Sequence, residues 1–294
     1  MTTQPNILVL GATGKVGAEV VRILAEFDDV NVIAGVRSLE KAQHLKDQSI
    51  EIRHIDLDRQ ETLAPALNGV TRALLLKGYT VDMLKQSKAF LDTAKQARVE
   101  HIVHIGASGA PTNEVAHWGW HQFIEKYIEA SGFRYTHLRP EAFMQNITGP
   151  GYRWLEENRI LNYAGNDPWS WLDCNDLALV AATTLHDAET YAGQTIRLGY
   201  DGKTFEEIAQ MLTDVLGTPF YAEDRSPEEF LDNALQTGAD SAYMTCIYNQ
   251  FKLNGEGKIP NAGATFENFE TITGRKPMTW RDFIVKHREE LITG

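Results

Sequence analysis

The chain has 294 residues, with 28 Lys and Arg against 40 Asp and Glu, a formal net charge of −12 and 43% hydrophobic residues. That composition is globular, which excludes collagen, coiled-coil and wholly disordered descriptions, and its acidic balance offers no basic face to a nucleic acid. No apolar run reaches the ~18 residues of a membrane-spanning helix, and two cysteines, Cys174 and Cys246, cannot build a disulfide framework or a Cys-rich zinc site, so a reducing, cytoplasmic setting is expected.

Residues 6–10 read as a short buried strand closed by glycine, with no basic segment before it to suggest a signal peptide. Residues 16–27 have helical spacing, with Val20, Val21, Ile23 and Leu24 facing a core. Strands follow at 30–36, 50–55, 73–76, 101–105 and 135–138, and helices at 39–45, 62–67, 80–97 and 118–131, the last closed by Gly132. Strands alternating with helices imply right-handed βαβ units and a parallel sheet. After Arg139-Pro140 the pattern changes, and Gly149-Pro150-Gly151 is a breaker cluster. A helix at 176–185, a strand at 195–198 returning to the sheet, helices at 204–216 and 227–236, a loop at 254–263 and a helix at 277–291 complete the reading. The expected domains are a dinucleotide-binding domain over 1–150, rejoined by 172–200, and a smaller, mostly helical substrate or lid region over 151–294.

The segment GATGKVG, residues 11–17, spaces Gly11, Gly14 and Gly17 as GxxGxxG between a strand and a helix. The first glycine permits a tight turn, the second lets backbone approach a pyrophosphate, and the third allows close helix packing. The helix N-terminus then offers N–H groups to phosphate. A P-loop is excluded, because Val16 stands where Ser or Thr would hold magnesium and the spacing is too short. NAD sites place an acid about 20 residues on, at the end of the second strand. Here Arg37 stands there, and a guanidinium suits a 2′-phosphate. The expected cofactor is therefore NADP(H), with Lys15 as a second cation. Its expected contacts are Gly11, Thr13, Gly14, Lys15, Val16, Gly17, Arg37, Asp56, Leu57, Lys77 and His121. Asp56, in HIDLD, is placed to accept from an adenine amino group, and a plain turn aspartate is the competing reading.

GATGKVG, Arg37, HIDLD, the stretch HQFIEKYIEASGFRYTHLRPEAFMQN from His121, and TGRKPMTWRDFI resemble the NmrA-like branch of atypical short-chain dehydrogenases/reductases. The resemblance implies a Rossmann-type doubly wound parallel sheet. It also implies an NADPH-dependent reductase, similar to quinone and triphenylmethane-dye reductases, or a redox-sensing regulator without activity. The family's active pattern, Tyr-x-x-x-Lys on the helix after the fifth strand, is absent: counting back from Glu125 and SGFRYT puts its Tyr position on His117 and its Lys position on His121. Ser108 matches the family's serine. Tyr248 and Lys252 share the spacing far down the chain, and we read that as coincidence. The expected catalytic set is His117, His121, Ser108 and Tyr79. His117, His121 and Glu125 recur every four residues on one helix face, but no further ligand supports a metal, and none is expected. His101 and His104, on a buried strand, read as satisfied core residues. Trp118, Phe143, Met144, Asn146 and Trp154 are the expected substrate wall, with Tyr152, Trp169 and Trp171 nearby. A wall of this kind suits a small aromatic or quinone-like substrate. A homodimer is one assembly the sequence allows.

Overall fold

The computed structural model describes residues 4–46, 50–108, 114–148 and 154–293, so Gly149-Pro150-Gly151 and Tyr152 lie outside the described residues. In chain order the first elements are β1 (Asn6–Leu10), α1 (Lys15–Leu24), β2 (Asn31–Val36), α2 (Gln43–Lys46), β3 (Glu51–His54), α3 (Leu63–Leu67), β4 (Arg72–Leu75), α4 (Met83–Gln96), β5 (His101–Ile105), α5 (Ala116–Ala130) and β6 (Arg134–Pro140). Then come β7 (Ala142–Phe143), β8 (Leu155–Glu156), β9 (Arg159–Asn162), β10 (Trp169–Leu172), α6 (Cys174–His186), β11 (Gln194–Leu198) and β12 (Asp201–Lys203). The chain ends with α7 (Phe205–Leu216), β13 (Tyr221–Asp224), α8 (Pro227–Gln236), α9 (Ser241–Gly255), α10 (Phe269–Thr273), α11 (Trp280–Lys286) and α12 (Arg288–Thr293). Among the described residues no helix is long and apolar enough to cross a membrane.

Contacts divide the chain into two compact units, the first made of 1–107, 120–139 and 175–196, the second of 108–119, 140–174 and 197–294. This division interleaves the segments, with 175–196 in the first unit. The first unit is built on a seven-stranded sheet of order β11-β6-β5-β4-β1-β2-β3. Leu8 of β1 pairs with Ile33 of β2 on one side and Ala73 of β4 on the other, both in parallel. Parallel strands are covered on both faces and so read as continuous apolar runs. Ile7, Leu8, Val9, Ala73, Leu74, Leu75, Ile102 and Val103 are accordingly fully buried. Arg72 at the start of β4 donates to Leu185 O (2.7 Å) and His186 O (2.6 Å), closing the carbonyl end of α6.

The turn after β1 shows why its glycines are needed. Gly11 has φ +66°, a region that penalises any β-carbon. A β-carbon on Gly17 would lie 2.2 Å from Gly11 O, so α1 can start against this backbone only with glycine there. Gly17→Ala should therefore cost about 1–3 kcal/mol through forced overpacking. Urea unfolding measures this, and an unchanged midpoint would show that the turn relaxes freely.

The second unit holds two small three-stranded sheets, β12-β10-β7 and β13-β9-β8. Its helix α7 begins with a reciprocal cap, Thr204 accepting from Glu207 N–H and Glu207 from Thr204 N–H. The core of this unit is aromatic. Trp171 lies 5.2 Å from Trp280, 5.6 Å from Phe205 and 6.2 Å from Trp154, centroid to centroid, and its Nε1 donates to Lys203 O at 3.0 Å. The expected loop at 254–263 begins later than read, because α9 runs to Gly255, and the expected helix over 277–291 breaks at His287 into α11 and α12.

Candidate functional site

Strand order reverses between β1 and β4, and an open parallel sheet leaves a ligand crevice beyond the strand ends at such a point. Two turns border it, the glycine turn after β1 and Lys77-Gly78-Tyr79 after β4. They touch: the Leu76 side chain lies 3.3 Å from where a β-carbon of Gly11 would stand. Gly14 N–H donates to Gly11 O at 2.8 Å. Helix α1 has no side-chain cap at its N-terminus and no acid in its first turn, so its leading N–H groups are open to a phosphate. Thr13, Gly14 and Lys15 are exposed and Val16 is half-buried. Leu10 pairs with Gly35, which sets exposed Arg37 just beyond the end of β2 on the same sheet edge. Neither Lys15 nor Arg37 has an ion-pair partner among the described residues. Asp56 serves its own turn, accepting Asp58 N–H on Oδ1 at 3.0 Å. Half-buried Leu57 packs on the core of the first unit. These residues fit a dinucleotide: tight glycines, an open helix terminus and unspent cations lie together.

Next to this edge the first unit buries a polar cluster. Glu125 of α5 is almost fully buried and accepts from Arg139 of β6 through both oxygens, Nε to Oε1 at 2.9 Å and Nη2 to Oε2 at 2.5 Å. His104 of β5 is fully buried, and its Nε2 lies 3.4 Å from Nδ1 of His121. His137 of β6 stands edge-on to His104, with ring centroids 5.7 Å apart, and its Nε2 is 3.5 Å from Glu129. Burial holds both the His104 and His137 imidazoles below their ordinary range. His104, Glu125 and His137 each offer one ligand atom, all within 4.8 Å. The Arg139 fork already neutralises Glu125, however, so the set reads as an ion-pair core rather than a cation site. His101 and His104 were expected to be satisfied. Each uses one ring nitrogen, His101 Nε2 with Thr136 Oγ1 at 3.0 Å, while its Nδ1 has no partner among the described residues.

The remaining expected residues fall out differently. The division between units passes through α5 between Gly119 and Trp120, separating His117 from His121. His117 is buried against the Tyr243 ring at 5.3 Å, and burial pushes its imidazole down to about 3. His117 is thus enclosed within the second unit, and its ring is neutral at neutral pH. Ser108 is buried and hydrogen-bonded to Glu141, which also accepts from Arg197 Nη2 at 2.8 Å, so its hydroxyl is committed within the second unit. Of the expected substrate wall, Trp118, Met144 and Trp154 are buried, as are nearby Trp169 and Trp171. Phe143 and Asn146 are half-buried and Tyr79 is exposed. Tyr248 of α9 donates to Glu228 at 2.9 Å. His137 and Glu141 escaped the sequence reading; their only signal was a charged or titratable residue inside an apolar strand context.

Burial also sets a pH dependence. His101 is held down to about 4 and His117 to about 3, whereas the unfolded chain takes up these protons near an ordinary histidine value of about 6.5. The unfolded state binds more protons in that window, so stability should fall as pH drops from about 6.5 toward 4. Urea midpoints measured across this range test it, with His101→Gln expected to flatten the slope.

A glycine turn opening a helix at the switch point of a doubly wound sheet defines a dinucleotide-binding protein of Rossmann type. The chain belongs to the NmrA-like family, whose pattern matches residues 3–284. It is 30% identical over 286 residues to the NAD(P)H azoreductase of Xenophilus azovorans, covering 96% of this chain and 97% of that one. It is 28% identical over 227 residues to quinone oxidoreductase 2 of Escherichia coli strain K12, covering 76% and 79%. The crystal structure of Citrobacter sp. triphenylmethane reductase complexed with NADP(H) matches it with a TM-score of 0.82 and 28% identity, covering 96% and 99%.

Proposed function

We propose that this chain is an NADPH-dependent reductase that passes a hydride to a flat, conjugated acceptor such as a quinone. The observation that carries this is the pairing of an open α1 terminus with unspent Arg37 and Lys15 on one sheet edge. Relatives named as azo, quinone and dye reductases support the acceptor class. Bound NADPH supplies the hydride. Gly11, Thr13, Gly14 and the first N–H groups of α1 hold the pyrophosphate, Gly17 lets α1 approach, and Arg37 with Lys15 takes the 2′-phosphate. Quinone reduction asks little of a strong protein acid, because the ring stabilises the product oxyanion, which suits the missing Tyr-x-x-x-Lys. His121 lies in the family's lysine position and is the residue we assign to the nicotinamide ribose and to the proton. Half-buried Phe143 and Asn146 of the second unit are the substrate contacts we assign.

Purified protein should oxidise NADPH with quinones and aromatic azo or imine compounds and leave small keto acids untouched. His121→Ala should lower both NADPH affinity and turnover, while His117→Phe should keep turnover within a few-fold and retain the pH profile. Preference for keto acids would refute the acceptor class. Tight NADPH binding without consumption by any acceptor would favour a dinucleotide sensor instead.

A further inference from the structure

Lys77 follows β4 in the turn that borders the crevice, yet its Nζ is buried and donates no hydrogen bond among the described residues. Its charge meets Glu125 of α5 and His104 of β5, and His104 in turn is surrounded by His121 of α5 and by His137 and Arg139 of β6. Arg139 already forks onto Glu125, so that carboxylate offsets the lysine charge only in part. Nδ1 of His104 also lacks a partner among the described residues, while Nε2 of the same ring meets Nδ1 of His121 at 3.4 Å. Buried, unpartnered polar groups of this kind need an explanation. Here two of them, an ammonium and an imidazole nitrogen, stand at one end of a histidine pair whose other end, His121, is the residue in the family's lysine position.

We propose that Lys77 is a buried proton store that serves the acceptor through His104 and His121, replacing from the end of β4 the lysine missing from α5. The inference rests on the reductase reading. Reducing a quinone to a hydroquinone takes one hydride, which leaves NADP+, and one proton, which the protein delivers. The oxyanion of the acceptor takes the proton on Nε2 of His121, breaking that N–H bond and forming an O–H bond. His121 Nδ1 takes the Nε2 proton of His104 as it does so. His104 Nδ1 is refilled from Lys77 Nζ across one bridging water, and the ammonium becomes an amine. Each imidazole loses one proton and gains one, so it stays neutral and only changes tautomer. That agrees with the direction in which burial and the Lys77 charge push His104. Burial draws the Lys77 ammonium down to about 7 against the pull of Glu125, so it can give up a proton near neutrality. Lys77 is thus a positioning residue that acts through His104 and His121.

The test combines lysine NMR with kinetics, using NADPH and 2-methyl-1,4-naphthoquinone. With 13Cε-labelled lysine, one signal of the wild-type protein should titrate near pH 7 and vanish in Lys77→Met. Wild-type kcat should fall as pH rises through the same range, because the store empties. Lys77→Met should lower kcat by about 10-fold or more and remove that limb, leaving the KM for NADPH within about twofold. Lys77→Arg should behave like Lys77→Met, since a guanidinium keeps its charge and does not release its proton. His104→Phe should keep the titrating lysine signal but lose the limb, and it carries the kinetic arm if the position-77 variants fail to fold. A lysine set that titrates only near the ordinary value of about 10.4 would overturn the proposal. So would rescue by arginine, or a limb that persists in Lys77→Met or His104→Phe. A wild-type protein that reduces no acceptor would sink the reductase reading instead, and the lysine signal alone would then decide whether the store exists.

Discussion

Replacing Arg37 with alanine is expected to weaken NADPH about 10- to 150-fold, the equivalent of one lost charge-assisted hydrogen bond of about 1.5–3 kcal/mol. NADH affinity should barely change, since it has no 2′-phosphate to lose. The argument starts from the position: Arg37 stands two residues past Gly35, which pairs with Leu10 at the end of β1. No acidic residue occupies the place where a ribose-binding Asp or Glu would stand, and Arg37 has no ion-pair partner among the described residues. Its charge is therefore available without first breaking an internal bond. Fluorescence titration of both cofactors against wild type and variant checks this. Equal wild-type affinities for NADPH and NADH would remove the 2′-phosphate assignment.

Arg139→Met should be the most destabilising single change among those considered, by about 3–5 kcal/mol. The Glu125 side chain is only 2% exposed, and the Arg139 fork supplies hydrogen bonds to both of its oxygens. Removing the guanidinium strands a carboxylate in a low-dielectric interior beside His104 and His137. The cost comes from the orphaned charge, not from the pair itself. The double variant Glu125→Leu, Arg139→Met should consequently recover most of the loss, as replacing both partners of a buried pair commonly does. Urea midpoints for the three proteins decide it. A single variant as stable as wild type would mean that Glu125 finds water or protonates cheaply.

Much of the first unit could be read from its residues. Glycines at 11, 14 and 17 answer to backbone sterics, and the runs at β1, β2, β4 and β5 are apolar because both faces of a parallel sheet are covered. The second unit was harder. Its strands β7, β8 and β12 are two or three residues long, too short for any alternation to register. Helix α9 buries Tyr243, Met244, Cys246, Phe251 and Leu253, which do not fall on a single stripe. The aromatic residues are ambiguous for a different reason: a tryptophan lining a pocket and one filling a core look alike in sequence, and only the structure shows Trp154, Trp169 and Trp171 packed together and buried. His117 and His121, four residues apart on one helix, looked equivalent, and only packing separates an enclosed ring from one linked to His104. Lys77 reads as a cofactor contact after the fourth strand, and nothing in its sequence context marks its Nζ as buried.

The last sheet strand, β11, has a consequence for how the chain is made. It closes the edge beyond β6, and Thr136 of β6 is held by its hydroxyl donating to Tyr191 O, just ahead of that strand. On the ribosome, every residue from β1 to β6 emerges before this cover exists. During that interval β6 presents open backbone groups, the kind of edge that recruits other strands. A fragment stopped near residue 150 would carry that open edge permanently. It should aggregate on expression where the full chain does not, because only the full chain both covers this edge and completes the aromatic core of the second unit.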